Sequence, residues 1–171
     1  MKICTKAGDD GTTSLMDLKR VKKSEPVFDV LGTIDELSSY IGLVRAKDEE
    51  KMFSSLLKEV QKTLLRLMAY IASKEDKKYK ITESDIAFIE ENIDFYEKQI
   101  GTVFSLVIPG GCVLSAELDV ARCIARRAER AAVKLAESHP TEENVIIYLN
   151  RISDLLYVLA RYADKVSGAE Q

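Results

Sequence analysis

An all-α fold, a five-helix up-and-down bundle with a four-helix-bundle-like core, is what this sequence predicts. Three observations lead there. Apolar residues recur at spacings of three and four in five separate stretches, little strand signal lies between them, and the breaks are short. A chain of 171 residues, 46% of them hydrophobic, is long enough for one well-buried core and short for two, so residues 1–171 read as a single domain. Within it, residues 1–28 form a polar N-terminal region and 29–171 the bundle.

The first helix runs from Asp29 to about Lys47, with Val30, Leu31, Ile34, Leu37, Ile41 and Val44 on one face. Phe53, Leu57, Val60, Leu64, Leu67, Met68 and Ile71 mark the second. The charged segment from Ser73 to Lys80 is a solvated connection, after which Thr82 caps a third helix carrying Ile86, Ile89, Ile93, Tyr96 and Ile100 and stopping at Gly101. Leu106 to Ile108 is a short apolar run closed by Pro109, Gly110 and Gly111, a tight turn that lets something approach the backbone closely. The fourth helix spans about Ser115 to Ser138. Pro140 and Thr141 then break and cap the chain before a fifth, with Ile146, Leu149, Ile152, Leu156, Leu159 and Tyr162, which ends at Ser167 and Gly168. Helices of about 20 residues span about 30 Å, so antiparallel neighbours are the economical packing.

Several function classes are excluded. A net charge of -3 without a basic tail argues against a dedicated nucleic-acid binder. No run of eighteen apolar residues and no signal-peptide core appear, so no membrane partner and a cytoplasmic location are expected. Cys4, Cys112 and Cys123 are an odd set without CxxC spacing, which fits a reducing compartment. The single histidine, His139, sits in a turn, leaving no zinc site, Ser-His-Asp relay or Glu-x-x-His di-metal pair.

The strongest local signal lies in the fourth helix. Arg122, Arg126 and Arg130 stand at i, i+4 and i+8 beside Arg127 and Glu129, and such a stripe suits a polyanion because each guanidinium donates two parallel hydrogen bonds and stays charged. Ala116, Ala121, Ala125, Ala128 and Ala132 keep this helix slim enough for close neighbours. TKAGDDGTTS, from Thr5 to Ser14, offers turning glycines, hydroxyl donors and two aspartates able to hold water around a divalent cation; taken alone it reads better as a plain polar turn. It lacks the GxxxxGK[ST] spacing of a Walker A loop. Lys19, Arg20, Lys22 and Lys23 follow at once. On the first and last helices, Asp35, Glu36, Arg151, Asp154 and Arg161 are best explained by inter-helix pairing, whereas the amide of Asn150 suits a base or ribose edge.

Four blocks together resemble the ATP:cob(I)alamin adenosyltransferases of the propanediol-utilisation type, also called corrinoid adenosyltransferases. They are TKAGDDGTTS at Thr5, GTIDELSSYIG at Gly32, VIPGG at Val107 with VARCIARRAER at Val120, and YLNRISDLLYVLAR at Tyr148. The resemblance implies a homotrimer whose sites lie between subunits, with MgATP and a reduced corrinoid as substrates, Mg2+ held mainly through the ATP phosphates and cobalamin as co-substrate. By position it implies that Thr5, Lys6, Ala7, Gly8, Thr13, Ser14 and Lys23 in the 1–28 region bind ATP, together with Arg126, Arg127, Ala128, Glu129, Arg130 and Asn150. Arg126 and Lys23 are implied to be catalytic, and Asp35, Arg122 and Leu106 to serve the corrinoid and subunit contact.

The implied reaction is attack of Co(I) on the 5′ carbon of ATP with release of triphosphate, in adenosylcobalamin formation. A reductase and an adenosylcobalamin-dependent acceptor enzyme are further partners that it implies. Two positions depart from the family pattern: Leu106 stands where relatives carry phenylalanine below the cobalt, and Asp119 where they often carry histidine. The alternative they leave open is a helical ATP-binding module without productive corrinoid chemistry, acting as sensor or cofactor chaperone.

Overall fold

The computed structural model describes residues 4, 6–16, 19–73, 76–101, 106–139 and 142–169. Five helices carry the fold: α1 Pro26–Lys47, α2 Ser54–Ala72, α3 Glu83–Ile100, α4 Val113–Ala136 and α5 Glu143–Ser167. The five predicted helices are therefore present, with α1 starting three residues earlier and α4 two residues earlier than their periodicity indicates. The reason is local. Pro26 takes the first position of α1, where its missing N–H is no loss, and Cys112 caps α4 by exchanging hydrogen bonds with Ser115. Thr82 caps α3 as expected, its N–H donating to Asp85 Oδ2 at 2.8 Å, and the expected stops occur at Gly101 and Gly168, both at positive φ. The Pro140–Thr141 break lies outside the described residues, and the N-cap of α5 is Glu142 where Thr141 was expected.

The polar N-terminal region does contain strand. β1 Thr12–Ser14 pairs antiparallel with β2 Arg20–Lys22, Thr13 opposite Val21. These are β-branched and hydroxyl residues, and three-residue strands are too short to register as alternation in the sequence. A single 3-10 turn, Lys77–Tyr79, punctuates the connection before α3.

Polar contacts give the helix directions. Gln61 to the Ser38 carbonyl and Arg45 to the Ser54 carbonyl set α2 antiparallel to α1. Glu36 with Arg127 and Lys47 with Glu117 do the same for α1 and α4, and Glu129 with Asn150 and Asp119 with Arg161 for α4 and α5. Arg151 to Glu90 and Lys165 to the Gln99 carbonyl run α3 parallel to α5. Up, down, up, down, up is the result.

α5 is the central helix. It buries Leu149, Ile152, Leu155, Leu156, Leu159, Ala160 and Ala163 between α3 and α4. Ala121, Ala125, Ala128 and Ala132 are all buried, so α4 is slim on its inward face, as expected. Phe53, Tyr96 and Tyr162 close one end edge to face, with ring centroids 5.1 to 6.1 Å apart. At the α1–α2 corner the buried Asp48 accepts from the Met52 and Phe53 amides at 3.0 and 2.8 Å.

Between α1 and α4, Glu117 accepts from both Tyr40 and Lys47. The Lys47 contact, then that of Tyr40, hold the carboxyl below its usual range. In turn the hydrogen bond to Glu117, aided by burial, pushes the Tyr40 phenol from 10.0 up to about 12. A phenol whose pKa rises on folding adds stability that is complete below pH 10 and disappears as the pH climbs to about 12. Tyr40→Phe is expected to cost about 1.5 kcal/mol at neutral pH. Denaturant midpoints of the two proteins should converge over that alkaline window, and a constant gap would remove this pair from the account.

Candidate active site

The N-terminal loop is organised by two side chains. Asp10 Oδ1 accepts from the Thr12 amide at 3.0 Å, the Thr12 hydroxyl at 2.7 Å and Arg20 Nη2 at 2.9 Å, closing the hairpin. The Thr12 hydrogen bonds, with Arg20 adding to them, keep this carboxyl below its ordinary range. Asp10 is thus engaged within the hairpin, where the sequence suggested a water-holding acid. Lys23 Nζ donates to the Gly8 carbonyl at 2.8 Å. A Cβ on Gly8 would meet that same ammonium at 3.0 Å, so glycine here permits the close approach of lysine. Two predicted residues, Gly8 and Lys23, are thereby brought together, next to Lys6 in a left-handed backbone conformation at φ 58°. Ala7, Thr13 and Ser14 belong to the same loop and strand, whereas Thr5 lies outside the described residues. The Met16 amide donates to the Ala72 carbonyl at 3.1 Å and docks the hairpin on the end of α2. Beside that end is an open hollow of about 400 Å³ lined by Leu31, Gly32, Asp35, Met68, Ala69 and Ala72.

The arginines of α4 do not act as one stripe. Arg122 Nε donates to Asp119 Oδ1 at 3.0 Å, and Arg127 pairs with Glu36 on α1. Arg126 and Arg130 are exposed and make no hydrogen bond or ion pair with any described residue. Ala128, between them, is buried toward the core and offers only its backbone. Glu129 accepts from Asn150 Nδ2 at 3.0 Å, and Asn150 Oδ1 accepts from Arg151 Nη1 at 2.9 Å. Asn150 is therefore held on both sides. Nearby, partial desolvation and the charge of Glu129 push Asp154 above the carboxylate range, while Arg151 and Arg126 pull the other way. Arg126, Glu129 and Asn150 consequently share one polar surface of α4 and α5.

Inter-helix pairing holds for Glu36, Arg151 and Arg161. Asp35 is different, being exposed at the rim of the hollow and not joined to Arg122 within the protomer. Asp119 is buried and grips two cations, Arg122 and Arg161, the second at 2.6 Å. The sequence marked Asp119 only as a departure. Its signal was the i, i+3 spacing of Asp119 with Arg122 and of Arg161 with Asp164, set among apolar neighbours. Leu106 is 100% exposed and Ile108 90%. Among the described residues no group of three His, Cys, Asp or Glu side chains is arranged to hold a metal ion, and no helix is long and apolar enough to cross a membrane.

The family model described as Cobalamin adenosyltransferase matches residues 3–163. The chain belongs to that family. As a member it is 38% identical, over 98% of its length and 89% of the relative's, to the corrinoid adenosyltransferase of Bacillus subtilis. It is 36% identical to the corrinoid adenosyltransferase PduO of Salmonella typhimurium, over 96% of this chain but only 50% of that longer protein. In three dimensions it superposes with a TM-score of 0.92 on a variant PduO-type ATP:corrinoid adenosyltransferase from Lactobacillus reuteri complexed with cobalamin and ATP. The identity there is 33%, and 98% of this chain and 94% of the other are covered.

Because Arg126 has no ion pair with any described residue to lose, Arg126→Ala is expected to leave folding stability within about 0.5 kcal/mol of the parent. Guanidinium unfolding followed by circular dichroism checks this, and a loss of several kcal/mol would place Arg126 in the framework instead.

Proposed function

We infer that this chain is an ATP:corrinoid adenosyltransferase: it transfers the 5′-deoxyadenosyl group of MgATP to Co(I) of cobalamin and releases triphosphate. The observation that carries this reading is the family match over residues 3–163 on a bundle that leaves Arg126 and Arg130 exposed, with no hydrogen bond or ion pair to a described residue, suited to a polyanion. In the reaction the cobalt electron pair attacks C5′, the cobalt–carbon bond forms, and the C5′–oxygen bond breaks with its electrons leaving on the triphosphate. No proton needs to move at the reacting carbon.

The protein's task is therefore to stabilise charge on the leaving group. We assign that to Arg126 and Lys23, with Arg130 and Arg127 on the same nucleotide; Mg2+ arrives as part of the MgATP substrate. Glu129 and Asn150, already hydrogen-bonded to each other, would present a preformed polar edge to the adenosine. Thr5, Lys6, Gly8, Thr13 and Ser14 would wrap the phosphates through backbone and hydroxyl donors.

No hydrogen bond or ion pair among the described residues joins the hairpin to α4 within one protomer. That separation supports a site completed between subunits, the hairpin of one facing the α4–α5 surface of the next, in a homotrimer. The Lys47–Glu117 and Glu36–Arg127 pairs put exposed Leu43 of α1 level with exposed Val120 of α4, an apolar strip suited to such a contact. Asp35 and Arg122 would then meet across it, near the corrinoid, and Leu106 would cover the cobalt's lower face.

Anaerobic incubation with MgATP and reduced cobalamin should consume Co(I), yield a light-sensitive product and release one triphosphate per turnover. ATP binding without cobalt alkylation would instead support the sensor or chaperone reading. Arg126→Ala is expected to lower turnover about 10²-fold, the usual effect of losing one fixed charge contact to a leaving group; an undiminished rate would sink the assignment. Leu106→Phe should raise the rate with base-on cobalamin, since a flat ring fills the lower position more fully. An unchanged rate would contradict the role given to Leu106.

A further inference from the structure

We propose that Asp164, held by Arg161, is a positioning residue that locks the Pro109–Gly111 turn and so determines where the apolar arm Leu106–Ile108 stands on the corrinoid side of the site. The inference rests on the reading that Leu106 faces the corrinoid. Neither end of the arm packs on the protomer: Leu106 is 100% exposed and Ile108 90%. Leu106 and Ile108 thus take no support from the core, Val107 between them is half-buried, and the turn that follows is the anchored neighbour among the described residues.

That turn is seated on a buried charge network. A Cβ built on Gly111 would stand 2.4 Å from Asp164 Oδ1, 2.9 Å from its Cγ and 3.0 Å from the Ala169 methyl. Gly110, at φ +117°, needs glycine for its backbone, but Gly111 has no such conformation, and only its neighbours forbid a side chain there. Asp164 is 1% exposed, and its other oxygen accepts from Arg161 Nε at 3.1 Å. Arg161, 2% exposed, also donates through Nη2 to Asp119 at 2.6 Å, and Asp119 holds Arg122 at 3.0 Å. The Ser167 hydroxyl and Ala169 amide donate to the Asp164 carbonyl at 2.8 and 3.1 Å, fastening the end of α5 beneath the turn. A continuous line of two carboxylates and two guanidiniums thus joins the turn to Arg122, one α-helical turn from Arg126. Enclosed and matched in charge, it has little freedom to shift.

The test is steady-state kinetics of the full chain, varying reduced cobalamin and MgATP in turn. Gly111→Ala is expected to raise KM for cobalamin about tenfold or more, with KM for ATP within about twofold, because small displacements of a substrate-facing group are costly. In an Asp164→Ala background, where the carboxylate is gone, the same change should cost less than about twofold. Asp164→Ser, which also withdraws the oxygen from Gly111, serves where Asp164→Ala does not fold. Additive costs in both backgrounds would overturn the latch, and so would equal rises in both KM values. Leu106→Ala separates the two readings: if it leaves the cobalamin KM unchanged, the corrinoid-facing arm fails and the proposal with it. A raised cobalamin KM in Leu106→Ala together with additive Gly111 and Asp164 costs overturns the latch alone.

Discussion

An arginine placed inside a helical bundle has to be neutralised where it stands, and Arg161 imposes that constraint on this fold. Moving an uncompensated guanidinium out of water costs several kcal/mol, so its partners must arrive with the helices that bury it. Burial opposes the Arg161 charge, but the hydrogen bond and charge of Asp119, joined by Asp164, outweigh it and hold the guanidinium above its ordinary range. Asp119 comes from α4 and Asp164 from α5 itself, so the pairing is satisfied at one register of the two helices.

Once that register is set, much else follows. The Glu129–Asn150 contact lies about three helical turns further along the same antiparallel interface, which closes over the alanines of α4. With α4 this near α5, its long side chains have only the opposite sides to occupy. Arg127 reaches α1, whereas Arg126 and Arg130 are left in solvent. Slim residues inward and arginines outward are thus two aspects of one packing decision, and the outward charges become available for a ligand because the core has no use for them.

The N-terminal hairpin is governed differently. It buries little and depends on local hydrogen bonds: Asp10 to Thr12 and Arg20, Lys23 to Gly8, and one backbone contact to α2. Such a loop is cheap to rearrange around a nucleotide, since no core must be repacked. The α4–α5 surface is built on buried helix packing, whereas the hairpin is held by local hydrogen bonds.

Helix number and order, the Thr82 cap and the stops at Gly101 and Gly168 were legible in the sequence, because a period near 3.6, a capping threonine and stop glycines are local properties, whereas the Pro26 start and the Cys112 and Glu142 caps were not. So was the family, because its motifs are contiguous. What the sequence left open were the pairings between distant positions. It presented Arg122, Arg126 and Arg130 as equivalent members of a stripe; Arg122 is engaged by Asp119 of its own helix, and tertiary structure shows that α5 buries that carboxylate and shares it with Arg161, while the other two arginines stay exposed. It marked Gly111 as a point of close approach, and tertiary structure supplied the approaching group, the Asp164 carboxylate more than fifty residues away. The physical reason is common to both cases: spacing along a helix tells which side chains share a face, but which charge is neutralised depends on what other helices bring to that face when water is excluded.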